Sequence, residues 1–174
     1  MVAQTSRLYR ELPASVRQFL LKAGIMLSGW LAVYHLLLKP MRFPDKQLTH
    51  LVIDSTVYLL NLLGLNSMSK GQWVYINNKF TVGVADQCNG LELMVLYVGF
   101  LLAINGSIKS KLKYILGGTL LIYALNVLRC AGLAYMNHIN APLIDFAHHY
   151  AFKLAIYAVI FLMWYLYSKK EKAL

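Results

Sequence analysis

A run of some twenty apolar residues cannot stay in water, and it must either fill a large core or cross a bilayer. This chain carries four such runs within 174 residues. Residues 18–38, "QFLLKAGIMLSGWLAVYHLLL", are the first; 114–136 and 149–168 are of similar length, and 89–105 is shorter. Each is near the ~17–25 residues that span hydrocarbon. A positive N-region precedes the first run, as in a signal peptide, but no small-residue cleavage site follows. The chain meets Lys39-Pro40 instead, so the run reads as an uncleaved anchor.

Composition agrees. The chain is 59% hydrophobic and 14% charged, with a formal net charge of +10. Such a balance belongs to a multi-span membrane protein, in which positive loops orient the spans and face anionic lipid. No zinc-finger spacing, RNP sequence or basic stripe points to nucleic acid. The two cysteines, Cys88 and Cys130, are too few for a disulfide framework. No Cys-x-x-Cys occurs, so thioredoxin-like chemistry has no support.

Between the first two runs lies 47–64, "QLTHLVIDSTVYLLNLLG". Gln47, His50, Asp54, Tyr58 and Asn61 recur every three or four residues, which makes one polar stripe. The stripe favours a helix lying in the membrane interface; a fifth span is the alternative. The β-branched and aromatic stretch 72–84 follows, with Asn77-Asn78 suited to a tight hairpin turn. The expected fold is one all-α integral membrane domain over 1–174, with four to five spans, an external interfacial helix and a short hairpin. Residues 1–17 form a cytoplasmic tail. If 47–64 is external, ten lysines and arginines (Arg7, Arg10, Arg17, Lys22, Lys109, Lys111, Lys113, Lys169, Lys170, Lys172) lie inside. Five (Lys39, Arg42, Lys46, Lys70, Lys79) lie outside. Cys88 and the loop 137–148 then face outward.

Under that topology three reactive groups share one shallow layer. Cys88 stands at the outer mouth of one span, and Arg129 lies about two turns, ~10 Å, below the outer end of the next. His148 and His149 open the last. Each has a plain alternative. A cysteine in a membrane helix is usually packing, an arginine can pair structurally with Glu92, and histidines gather at interfaces. Their common depth favours chemistry. A helix start favours the thiolate that attacks, a histidine can move its proton, and an arginine can hold a developing oxyanion. Asn126 shares the Arg129 face and can orient the guanidinium or donate to the oxyanion. Asp145 can cap the last helix or orient His148. Gly90 would leave space for a substrate backbone. Glu92 reads as a partner for Arg129 or a contact for substrate. Cys130 reads as packing and Lys153 as snorkelling outward, and neither is given any chemistry. A zinc site of Cys88, His148 and His149 lacks any close-spaced ligand motif, so no metal and no cofactor is expected.

"CNGLE" at 88–92, "NVLR" at 126–129 and "FAHHYAF" at 146–152 together resemble the exosortase/archaeosortase family of membrane cysteine transpeptidases. The resemblance covers roughly 47–168. The short chain and doubled histidine look most like the exosortase F type. The resemblance implies catalytic helices over 88–168 and a triad of Cys88, Arg129 and His148, with His149 as the alternative. It implies cleavage of C-terminal sorting signals of exported proteins at the outer face of the cytoplasmic membrane. A thioester would be resolved by an acceptor such as a lipid-linked amine. The chain departs from the family pattern at Asn89, where a small residue is common, and at Phe152, where many members have Gly.

Overall fold

A computed structural model of the chain describes residues 13–172. Most of the expected tail 1–17 therefore lies outside the described residues. Helix α1 runs Ala14–Met41, passing through a π-helical turn at Tyr34–Leu38. Helix α2 runs Asp45–Leu62. Three strands follow, β1 Ser67–Lys70, β2 Trp73–Ile76 and β3 Lys79–Gly83. A 3₁₀ turn at Asp86–Cys88 leads to α3, Leu91–Ala103. Helices α4, Ile108–His138, and α5, Ile144–Glu171, complete the chain.

Helices α1, α4 and α5 are long and apolar enough to cross a membrane. The expected span at 89–105 is shorter than that, because Gly90 stands left-handed at its start and Ile104 is extended at its end. Its 13 residues reach only about 20 Å. In α2 the stripe Gln47, His50, Asp54, Tyr58 and Asn61 is exposed, while Val52, Ile53, Thr56 and Leu60 turn inward.

The hairpin forms where expected. Asn77 and Asn78 both take positive φ, 51° and 62°, as a two-residue turn between paired strands requires. The sheet has a third strand that the sequence does not announce. β1, "SMSK", has no apolar alternation; it is held by antiparallel pairing to β2 and by Asn61, whose amide exchanges hydrogen bonds with the Ser67 backbone.

Helix α4 is the spine. Its C-terminal half packs Val127, Cys130, Ala131 and Ala134 against α2 and the buried sheet face of Val74 and Ile76. Its N-terminal half packs Ile122 against Tyr97 and Leu101 of α3 and Ile156 and Ile160 of α5. Tyr97 is fully buried and donates its hydroxyl to the Tyr114 carbonyl at 2.8 Å. Its ring lies where a Cβ on Gly118 would be. Gly118→Leu should therefore cost about 1–3 kcal/mol by overpacking. Thermal unfolding in detergent checks this, and an unchanged midpoint would mean that the α3–α4 contact can reopen freely.

Candidate active site

The site begins with a turn. After β3 the chain makes one 3₁₀ turn, closed by the Cys88 amide on the Ala85 carbonyl at 2.8 Å. Gly90 then takes φ 88° and α3 begins. Cys88 thus stands in the turn before the helix, not in its first turn. The positive φ is what requires glycine at 90. The side a Cβ would occupy meets Asn126 Nδ2 at 3.4 Å, an ordinary contact, and Gly90 also lines the cavity beside the turn.

Two sides pin this turn. From α4, Asn126 Nδ2 and Arg129 Nη2 both donate to the Cys88 carbonyl, at 2.9 and 3.0 Å. From α1, α2, their connection and the β1–β2 turn come groups that sequence reasoning misses. Asp86 Oδ1 accepts from Thr49 and Gln72, at 3.0 and 2.9 Å. Asp86 Oδ2 pairs with Arg42 at 2.7 Å. The buried Asn89 donates to Asp45 Oδ1 at 3.0 Å and accepts from the Leu91 amide at 2.8 Å. Tyr34 of α1 completes the set by donating to Asp45 Oδ2 at 3.1 Å. "FPDK" at 43–46 could have signalled a helix start. Its partner lies 44 residues on, beyond any local pattern.

Asn89, a departure from the family pattern, is therefore the bolt between the cysteine turn and α2. Asn89→Ala would leave the nearly buried Asp45 carboxylate short of a donor, at a cost of about 1–3 kcal/mol. The midpoint of unfolding should fall. A midpoint equal to the parent's would mean that Asn89 does not bolt the turn. The bulk of Phe152, the other departure, rests on Gly132 of α4, where the ring comes within 3.0 Å of a Cβ position.

A cavity of about 190 Å³ opens beside the turn. Cys88, Gly90 and Glu92 line one wall and Asn126 and Arg129 a second. Lys153, Ile156 and Tyr157 of α5 form the third. Lys153 lines the cavity and remains exposed. The i, i+3, i+4 spacing of Lys153, Ile156 and Tyr157 is the available signal for this cavity-lining face.

Arg129 and Glu92 form no ion pair among the described residues; the guanidinium goes to the Cys88 carbonyl instead. Two buried polar atoms at the site have no partner among the described residues, Asn126 Oδ1 and Arg129 Nε. Cys130 is buried in the core and Cys88 packs against the same cluster.

His148 and His149 lie in a π-helical turn, Ala147–Ala151, and both are exposed. The wider turn closes with the Phe152 amide on the Ala147 carbonyl, which brings residues five apart onto one face. Neither histidine lines the cavity. Asp145 lies in the first turn of α5 and makes no capping hydrogen bond, since Leu143 is the N-cap. Among the described residues no three His, Cys, Asp or Glu side chains converge as a metal site.

The arrangement is a half-exposed thiol that shares one cavity with the side chains of Arg129, Asn126 and Lys153. A family model described as transmembrane exosortase matches residues 13–166. No curated protein and no solved structure matches the chain.

Proposed function

Because the chain belongs to the transmembrane exosortase family, we propose that it is a membrane cysteine transpeptidase acting at the Cys88 cavity on the C-terminal sorting signals of exported proteins. The observation that carries this reading is the pair of donors from α4 on the Cys88 carbonyl, with Arg129 Nε buried beside them and unpartnered. A buried donor without an acceptor is costly, and a tetrahedral oxyanion would satisfy it.

The steps follow from the residues. His148 takes the Cys88 thiol proton, Cys88 Sγ attacks the scissile carbonyl carbon as a thiolate, and Arg129 holds the oxyanion. The C–N bond breaks, and His148 delivers that proton to the leaving amine. A thioester joins Cys88 to the upstream product. An incoming amine, lipid-linked in this reading, or water gives a proton to His148 and attacks the thioester carbon; the C–S bond breaks and the proton returns to the Cys88 thiolate. His148 is the preferred histidine, with His149 as the alternative.

The positive-inside balance supports a cytoplasmic membrane location with Cys88 facing outward. The exposed polar stripe of α2 supports an interfacial helix. The short chain and the histidine pair support the F type.

Mass spectrometry of exported proteins from cells with and without this chain tests the reading. Proteins with a C-terminal span should lose it only when the chain is present. Identical C-termini in both would overturn the reading.

A further inference from the structure

A second cavity, of about 870 Å³, lies between α1 and α3. It runs along α1 from Phe19 to His35, about 24 Å at ~1.5 Å per residue, most of the ~30 Å of bilayer hydrocarbon. We propose that this groove receives the transmembrane helix of the protein substrate, with the helix N-terminus at Glu92. The inference rests on the transpeptidase reading and adds to it where the leaving segment lies.

The groove is braced at both ends, so its width is built in. Near Cys88, Tyr34 is tied to Asp45. At the far end Lys22 donates to Asn105 at 3.0 Å and Phe19 meets Phe100 edge-on. Between the braces, no residue of Ala14–Val33 is buried. Gly29 and Gly99 stand on opposite walls, and an added Cβ on either would meet nothing within 4 Å. Small residues on both walls admit a third helix at close range.

Glu92 selects the occupant and its direction. It lines both this groove and the Cys88 cavity. Among the described residues its carboxylate has no hydrogen bond or ion pair, and no lysine or arginine lines the groove. A phospholipid phosphate would meet a carboxylate without a cation. A helix N-terminus offers free N–H groups and the positive end of its dipole. After the C–N bond breaks, the same end carries an ammonium. The substrate helix then runs parallel to α3, and its scissile bond precedes it at the Cys88 level.

The test uses the full chain in phosphatidylcholine vesicles, with a photoreactive amino acid at Leu96 in the groove or at Leu120, an exposed position on α4. The probe is a synthetic single-span leucine/alanine peptide with a free N-terminal amine and no cleavage motif. Cross-linking from position 96 should exceed that from 120 about tenfold, and Glu92→Gln should lower it several-fold. The double variant Gly29→Leu, Gly99→Leu, which fills open space, should abolish it and leave Cys88 alkylation by a small reagent unchanged. Equal yields at 96 and 120, a filled variant that still cross-links, or cross-links to phosphatidylcholine undiminished by peptide would each overturn the assignment. Because the peptide is not cleaved, failure here is separable from failure of the Cys88 chemistry.

Discussion

Cys88→Ser should lower the rate of sorting-signal removal by at least about 10⁴-fold, with the fold unchanged. The hydrogen bonds described for this turn run through the Cys88 amide and carbonyl and through Asp86 and Asn89. None uses Sγ, so exchanging sulfur for oxygen leaves the turn pinned. What disappears is the nucleophile. A hydroxyl is a far weaker acid than a thiol, so in this site it yields too little anion at neutral pH to attack at the parental rate. The measurement is the initial rate of signal removal in vesicles, with thermal unfolding as control for the fold. A serine variant within tenfold of the parent would mean that Cys88 is not the attacking group.

Arg129→Lys should cost about 10²–10³-fold in the same rate, equivalent to roughly 3–4 kcal/mol of transition-state stabilisation. Arg129 directs Nη2 to the Cys88 carbonyl and keeps Nε buried and free beside it. Only a planar guanidinium can hold both directions at once; an ammonium is a single point charge on a flexible stem. Stability should fall far less than activity, because Asn126 still donates to the same carbonyl. Kinetics should show the loss in kcat, with the substrate KM little changed. A lysine variant with parental kcat would reduce Arg129 to a structural tie, and a loss confined to KM would move its role to substrate binding.

Both residues are legible in the amino-acid sequence because depth follows from counting along the chain. The long apolar runs announce three of the helices, and counting residues from each end sets Cys88, Arg129 and His148 near one level. The Asn77-Asn78 turn is legible for a similar reason: positive φ is a preference of single residues. Strand β1 is not, since "SMSK" takes its conformation from β2 and Asn61, not from its own side chains. The short reach of α3 is hidden because its flanks, Asn89 and Ile104-Asn105, do not interrupt the apolar run strongly enough to be read as ends.

The larger gaps concern direction around a helix. Glu92 and Arg129 share a level, which makes an ion pair reasonable, yet Arg129 turns to the Cys88 carbonyl and Glu92 toward the two cavities. Lys153 is exposed, as a snorkelling lysine is, and it also lines the cavity. Asp45, Asn89 and Asp86 look like ordinary polar residues near helix ends, and they hold the cysteine turn. Sequence alone determined the three long apolar helices and the hairpin. Hydrophobicity, turn preference and rise per residue act along the chain. Only the tertiary structure decided which donor meets which acceptor, because the rotation of each helix is set by how α2, α3 and α5 pack on α4.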